Sequence, residues 1–179
     1  MIGNVEKKYY MIEKIVVNEK GKELILVRGA PGSGKSTLAM LISIKFGYDI
    51  HENDAFFTNN NGEYNFDINF HQHAKDVCFE KTCESLDLDR SVVVSNTFTT
   101  IKEMEPYLEF ARKRMINVNV IEMDLQYDNV HSVPDFVVKD KIEKFERYPN
   151  AHKISSSNYA LVSVEANENK EIKRKKLKM

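Results

Sequence analysis

The sequence predicts an α/β protein in which a mostly parallel sheet is covered by helices on both faces, giving three layers. Short apolar segments rich in β-branched residues, which suit buried strands, alternate with longer segments that have helical spacing. The resulting order is β-α-β-α-β-α-β-α-β, and a glycine-rich loop joins an apolar strand to the first helix. This alternation favours a parallel sheet whose ligands bind beyond the carboxyl ends of the strands. Catalytic side chains are therefore expected directly after strands.

Length and composition are those of a soluble globular domain. The chain has 179 residues, a net charge of −1, 42% hydrophobic and 30% charged residues, which suits one domain with a buried core. No segment reaches the ~20 apolar residues that a membrane span requires, and the N-terminus lacks the apolar core of a signal peptide. Cys78 and Cys83 suggest neither a disulfide framework nor a zinc site. A cytoplasmic location without a membrane partner is expected.

The first predicted strand and helix flank the glycine-rich loop. Residues 23–28 (ELILVR) form an apolar strand, and residues 35–46 (KSTLAMLISIKF) have helical spacing, with Gly47 as the C-cap. Upstream, residues 11–17 (MIEKIVV) predict a strand that would pair with the first one as a hairpin. A helix over residues 4–14 is the alternative.

The second strand is predicted around residues 48–52 and leads into the segment NDAFF. Residues 58–65 (TNNNGEYN) are dense in turn-forming residues and predict a loop. Asp67 can cap a long helix that runs to about residue 86. One face of that helix carries Ile68, Ala74, Val77, Cys78 and Leu86.

The third strand is the β-branched run at residues 91–96 (SVVVSN), which is typical of a buried parallel strand. Thr100 and Glu103 form a capping box for a helix that runs to about Met115. Pro106 lies where it could kink the first turns of this helix.

The last predicted elements are a strand over residues 117–125, a helix that begins at Pro134 and ends near residues 148–149, and a strand over residues 159–164. The chain is then divided into an N-terminal extension at 1–22, a central domain at 23–165 with a lid at about 125–134, and a basic charged tail at 166–179. The tail could attract phosphate groups, and a solvated chain end is the alternative interpretation.

The glycine-rich loop, RGAPGSGKST at residues 28–37, matches the pattern G-x-x-x-x-G-K-[ST] between an apolar strand and a helix. Backbone N–H groups and the helix dipole would cradle phosphates. Lys35 would reach the β- and γ-phosphates, Ser36 would coordinate Mg²⁺, and Thr37 would touch the α-phosphate. ATP and Mg²⁺ are the expected cofactors, in a fold of the P-loop NTPase type, and a glycine-rich turn that binds nothing is the alternative. The predicted nucleotide-binding residues are Gly29, Ala30, Pro31, Gly32, Ser33, Gly34, Lys35, Ser36 and Thr37.

Phosphoryl transfer also needs a group that orients or deprotonates the acceptor. Asp54 lies at the end of the second predicted strand, after YDIHEN, where a carboxylate could take the proton of a hydroxyl group. From the residues alone, an N-cap or turn aspartate is an equally good interpretation.

The chain resembles the polynucleotide-kinase-like P-loop kinases, which include the kinase domains of phage and animal end-healing enzymes. The shared segments are LVRGAPGSGKSTLA, NDAFF, GEYNFD, VVVSNTFTTIKEMEPYLEFA and NVHSVPDFVVKDKIEKFERY, spread over residues 24–148. The resemblance implies that Asp54 is the general base. It also implies that the pattern N-x-H-x-V-P, from Asn129 and His131 to Pro134, is the end of the lid.

Two positions depart from the family pattern. The resemblance implies arginines just before Asn129, where they would clamp the phosphates, but Tyr127 and Asp128 stand there. Members often have an aspartate at the end of the third strand, whereas this chain has Ser95 and Asn96, either of which could hold a Mg²⁺-bound water. The lost charge could be offset by a partner or by Arg28, Lys139, Lys141 or Arg147.

The acceptor side has several candidate residues, among them Asn129 and His131 of the lid. Phe56 and Phe57 follow Asp54 and could stack on an acceptor base, with core packing as the alternative for at least one of them. His71 and His73 are two apart on a predicted helix and make a poor metal pair.

These features predict an ATP-dependent kinase that acts on a nucleic-acid 5′-hydroxyl, with Lys35 and Asp54 as the catalytic residues. A kinase of a nucleoside, a modified DNA base, a sugar nucleotide or a protein is the first alternative, because a fold does not determine its substrate. The second is a nucleotide-binding interaction protein without transfer, favoured by the lid that lacks arginines.

Overall fold

The computed structural model describes residues 21–59, 61–125 and 133–155. Several predictions fall outside these ranges: the strand at 11–17 with its helical alternative, most of the lid, the strand at 159–164 and the basic tail. Among the described residues, no helix combines the length and the apolar character needed to cross a bilayer.

Five parallel strands form one sheet in the described part of the chain, in the order β2-β3-β1-β4-β5. The α/β fold with a parallel sheet is therefore confirmed. Along the chain the strands are β1 Glu23–Arg28, β2 Asp49–His51, β3 Val92–Ser95, β4 Asn117–Asp124 and β5 His152–Ser155.

Helices connect the strands and cover both faces of the sheet. The α-helices are α1 Lys35–Phe46, α2 His71–Asp87, α3 Glu105–Lys113 and α4 Asp135–Glu143. Shorter 3₁₀ turns are Asn53–Phe57, Ile68–Phe70 and Ile101–Glu103.

The core divides into two clusters because successive side chains of β1 point to opposite faces of the sheet. Ile25 and Val27 pack with Leu38 and Ile42 of α1 on one face. On the other face, Leu24 and Leu26 pack with Cys78 and Leu86 of α2 and with Tyr107 and Ala111 of α3. We call these the α1 face and the α2–α3 face.

Most predicted elements up to β4 lie where they were expected. The strand at 23–28, the helix at 35–46 and its Gly47 cap are confirmed; Gly47 has a φ of 74° and donates its N–H to the Ser43 carbonyl. The capping box of Thr100 and Glu103 is also confirmed.

The end of α4 and one core residue were predicted wrongly. Ile68 is 69% exposed, because a 3₁₀ turn precedes α2 and takes this residue off the buried face. α3 ends at Lys113, since the chain reverses at Met115, which has a φ of 55°. α4 ends at Glu143, well before residues 148–149. Pro106 lies in the first turn of α3, where it leaves the helix unbroken.

Candidate active site

The phosphate-binding motif forms a loop at the carboxyl edge of the sheet, between β1 and α1. Gly29 donates its N–H to the Thr97 carbonyl at 3.1 Å. A Cβ at Gly29 would lie 2.6 Å from the Met123 carbonyl oxygen and 2.7 Å from the Ser33 Oγ, at a φ of +151°. Only glycine fits this position, where the loop passes between the ends of β3 and β4.

Lys35 lies in the first turn of α1 and reaches back across the loop. Its Nζ donates to the Ala30 carbonyl at 2.8 Å. Burial lowers the pKa of Lys35 to about 8, and the carboxylates of Asp54 and Glu52 act in the opposite direction. Both carboxylates therefore lie close enough to act on the charge of Lys35. Ser36, next in the chain, is exposed at the mouth of the loop.

Asp54 is exposed in the 3₁₀ turn that directly follows β2, as the strand-end rule predicts. The Tyr64 hydroxyl donates to its Oδ1 at 3.3 Å. The side chain does not cap the turn, whose N-cap is Glu52. Burial and the Asp54 carboxylate raise the pKa of Tyr64 to about 12, so Tyr64 stays a hydrogen-bond donor at neutral pH.

Tyr64 reaches Asp54 because the intervening loop folds back on itself. Thr58 and Tyr64 form an antiparallel bridge, and the Asn65 N–H donates to the Phe57 carbonyl at 2.9 Å. Sequence reasoning did not predict the hydrogen bond between Tyr64 and Asp54. The motif GEYNFD locates the segment, but nothing in it shows that the hydroxyl turns towards Asp54.

Asn96 supports the turn that carries Asp54. Its Oδ1 accepts the Asn53 N–H at 2.8 Å, and its Nδ2 donates to the Cys78 Sγ at 3.6 Å. The side chain therefore lies on the α2–α3 face, away from α1. Its predicted contact with a Mg²⁺-bound water stays a prediction.

Several buried oxygen atoms around the loop accept no hydrogen bond from the described residues. They are the Oγ of Ser33, the Oε1 of Glu52, the Oδ1 of Asn53, the Oγ of Ser95 and the Oγ1 of Thr99. Buried polar atoms without a partner are rare and costly in folded proteins. Their concentration at the ends of β1, β2 and β3 indicates that these ends are built to meet a polar ligand.

An aromatic cluster lies beside Asp54. Phe57 is 7% exposed and packs against Phe56, Phe66 and Tyr64, with ring centroids 5.2, 4.9 and 6.3 Å away. Phe57 thus serves the core of the cluster. Phe56 and Phe66, at 39% and 47% exposure, form its outer surface.

The four basic residues that could replace the lid arginines lie in different surroundings. Arg28 is completely buried and bonded to Phe98, Thr99 and Glu122, so it serves the interior. Lys139 and Lys141 are on α4. Arg147 is partly exposed, pairs with Glu122 and Asp124, and lines a cleft of about 150 Å³ that also contains Gly29 and Ala30. Asn129 and His131 lie outside the described residues.

A family model described as an AAA domain, AAA_33, matches residues 24–131. NEDD4-binding protein 2 of Homo sapiens is 29% identical over 149 residues, which is 76% of this chain and 8% of that protein. The bifunctional polynucleotide phosphatase/kinase of Schizosaccharomyces pombe is 28% identical over 102 residues, 57% of this chain and 21% of that protein. This chain therefore spans only a small part of these two relatives.

The fold is shared with solved kinase structures. The Mycobacterium tuberculosis APS kinase CysC in complex with AMPPNP and APS has a TM-score of 0.57 and 15% identity, with 86% of this chain and 98% of that chain covered. This likeness shows the fold. Together with the family match, it confirms the resemblance to polynucleotide-kinase-like P-loop kinases.

Proposed function

The chain belongs to the AAA_33 family of P-loop kinase domains, and from this premise we propose that it transfers the γ-phosphate of ATP to the 5′-hydroxyl of a nucleic acid. One observation carries the proposal. Asp54, an exposed carboxylate directly beyond β2, lies at the same carboxyl edge of the sheet as Lys35, which begins the helix after the phosphate-binding loop. A proton acceptor and a phosphate-binding cation thus share one edge of the sheet.

The proposed reaction uses the two residues at opposite ends of the transferred group. The backbone N–H groups of the loop and Lys35 hold the β- and γ-phosphates. The acceptor oxygen forms a bond to the γ-phosphorus while the bond from that phosphorus to the β–γ bridging oxygen breaks, and ADP leaves. The proton of the acceptor hydroxyl passes to the Asp54 carboxylate, which Tyr64 holds in place by its hydrogen bond.

The residues around the loop suit a Mg²⁺ ion bound with the nucleotide. Ser36 offers an exposed hydroxyl, and Glu52 and Ser95 offer buried oxygens that no described residue satisfies. Hard oxygen ligands of this kind are the ones that Mg²⁺ prefers. Ser36 would hold the ion, which when bound neutralises charge on the phosphates.

A nucleic-acid acceptor is supported by the aromatic cluster and by one relative. The exposed rings of Phe56 and Phe66 lie beside Asp54 and offer flat surfaces on which a terminal base could stack. The Schizosaccharomyces pombe relative is named as a polynucleotide phosphatase/kinase.

A second acceptor class, a single nucleoside or nucleotide, is favoured by the charge of the same segment. Residues 52–71 contain Glu52, Asp54, Glu63 and Asp67 and neither lysine nor arginine. A long nucleic-acid strand usually needs basic side chains along its backbone. A small acceptor would need only the aromatic surface and Asp54.

The test is transfer of labelled γ-phosphate from ATP to a 5′-hydroxyl oligonucleotide, with nucleosides and nucleotides as competing acceptors. We expect labelled oligonucleotide from the wild type and a loss of about 100-fold or more in Asp54→Asn, because a general base contributes on this scale. Asp76→Asn, which changes an exposed aspartate of α2, is the matched control.

Each outcome has a defined meaning. Preferred labelling of a nucleoside would identify the second acceptor class. Unchanged activity in Asp54→Asn would reject the assigned base. ATP binding without transfer to any acceptor would reject the kinase proposal in favour of an interaction protein.

A further inference from the structure

Glu52 follows the last residue of β2, and Ser95 is the last residue of the neighbouring strand β3. β2 and β3 run parallel, with Ile50 opposite Val93 and His51 opposite Val94. Ile50 and Val93 belong to the core cluster on the α1 face. Glu52 directly follows β2 and keeps extended backbone angles. Because side chains alternate along an extended chain, Glu52 and Ser95 also point to the α1 face.

Both side chains have buried oxygens without a partner. Ser95 is 4% exposed, and its Oγ and the Oε1 of Glu52 accept no hydrogen bond from any described residue. The Lys35 ammonium donates to the Ala30 carbonyl at 2.8 Å and leaves Glu52 Oε1 without a donor. A buried carboxylate oxygen without a donor is costly in free energy. The Glu52 and Ser95 oxygens therefore suit a bound ligand that can donate hydrogen bonds to them.

We propose that Glu52 contacts the Mg²⁺ ion of the bound nucleotide through a water of the ion's hydration shell, with Ser95 as the second acceptor of that water shell. This inference rests on the proposed function. Glu52 thereby supplies, from the end of β2, the carboxylate that the family resemblance leads one to expect at the end of β3.

A contact through water suits the chemistry of both partners. Mg²⁺ gives up its waters reluctantly and keeps several of them in protein sites. Those waters are hydrogen-bond donors, which is what Glu52 Oε1 and Ser95 Oγ lack. An aspartate at position 95 would put a second carboxylate beside Glu52, and two like charges at one buried site repel each other. The short Ser95 side chain avoids this repulsion.

Glu52 and Asp54 therefore have separate tasks although they are two residues apart. Asp54 is exposed and bonded to Tyr64, which suits a group that exchanges a proton with an acceptor. Glu52 has its Oε1 buried, away from the exposed side chain of Asp54. Glu52 is thus a positioning residue for the metal.

The experiment measures the affinity of the full chain for ADP by calorimetry, with and without Mg²⁺. We expect the wild type to bind ADP more tightly with Mg²⁺. Glu52→Gln should lose about 10-fold or more of that gain, the scale seen when outer-shell partners of a metal are removed, and should keep the metal-free affinity. Glu52→Gln with Ser95→Asp should recover the gain, because a carboxylate returns on the neighbouring strand. Glu63→Gln, in the exposed loop, is the control.

A melting curve without ligand supplies an independent readout. Glu52→Gln should melt close to the wild type, which would show that a change in its ADP affinity does not come from loss of the fold. If Glu52→Gln keeps the full Mg²⁺-dependent gain in ADP affinity, the inference is wrong. It is also wrong if Glu52→Gln weakens ADP binding equally with and without Mg²⁺, because Glu52 would then act only as a charge partner of Lys35. If the wild type binds no nucleotide, the proposed function itself fails.

Discussion

Arg28 shows how one buried side chain holds the base of the phosphate-binding loop. Its Nη2 donates to the Phe98 carbonyl at 2.6 Å, its Nη1 to Glu122 Oε1 at 3.3 Å, and its guanidinium lies 4.3 Å from the centre of the Phe145 ring. Burial lowers the pKa of Arg28, whereas the Glu122 carboxylate raises it. Glu122 also accepts the Tyr148 N–H at 2.6 Å. The pair therefore joins β1, β4 and the segment after α4.

Replacing Arg28 should destabilise the protein strongly. In Arg28→Met the Glu122 carboxylate loses its buried counter-charge, and we expect a loss of about 3 kcal/mol or more in the free energy of unfolding. Adding Glu122→Gln should recover part of the loss, since no buried charge then remains. Urea unfolding measures both, with Arg112→Met on the exposed side of α3 as the control. Equal losses in Arg28→Met and the control would contradict the buried-pair argument.

The role of a single residue can be predicted from the sequence when it depends on nearby residues in the chain. The loop residues and Asp54 could be located because each follows a strand, and chemistry at strand ends is a general rule. The role of Arg28 could not, because its partner Glu122 is far away in the chain. Phe57 shows the same limit, since only the packed structure separates the buried ring from the exposed ring of Phe56.

At the scale of elements, Lys75 links α2 to the 3₁₀ turn before α3. Its Nζ lies 3.0 Å from Glu103 Oε1. Burial raises the pKa of Glu103, but Lys75, the Thr100 N–H and Lys141 of α4 together lower it below its usual value of 4.5. A lowered carboxylate pKa stabilises the folded state above the unfolded-state pKa, and that stabilisation is lost as the pH falls through the folded-state pKa.

Lys75→Met should therefore have a pH-dependent cost. At pH 7 we expect a loss of about 1 kcal/mol, the upper range for partly exposed pairs. The difference from the wild type should shrink as the pH falls below 4.5, the usual pKa of the Glu103 carboxyl, because protonated Glu103 no longer needs a cation. Urea unfolding at a series of pH values measures this, with the exposed Lys102→Met as the control. A cost that does not vary with pH would mean that Lys75 acts through packing alone.

Helices and strands were predicted correctly where the apolar pattern of the sequence was strong or a cap residue marked the end of a helix. β1, α1 and β3 have strong apolar patterns, and Gly47 and Thr100 mark a helix end and a helix start. β5 was missed because its sequence HKIS is polar: it is an edge strand in which only Ile154 is buried. The end of α4 was also missed, since the chain leaves the helix to place Arg147 and Tyr148 on Glu122.

At the scale of the whole molecule, the phosphate-binding loop lies where the main layers meet. Gly29 is bonded to the segment after β3 and packed against β4, while Lys35 begins the helix that covers the α1 face. A ligand bound to this loop would therefore connect the ends of the central strands with the helix on the α1 face. The boundaries of the predicted 23–165 domain stay a prediction, because part of that range lies outside the described residues.

Nucleotide binding should consequently stabilise the entire fold against heat. A ligand present at 100 times its dissociation constant adds about 2.7 kcal/mol, which corresponds to a rise of about 5–10 °C in melting temperature for a domain of this size. We expect this shift with ADP and Mg²⁺ in the wild type, and little of it in Lys35→Met, which lacks the ammonium that would face the phosphates. Lys113→Met, at the exposed end of α3, should behave as the wild type. A full shift in Lys35→Met would place the nucleotide elsewhere on the molecule and would separate the glycine-rich loop from the kinase proposal.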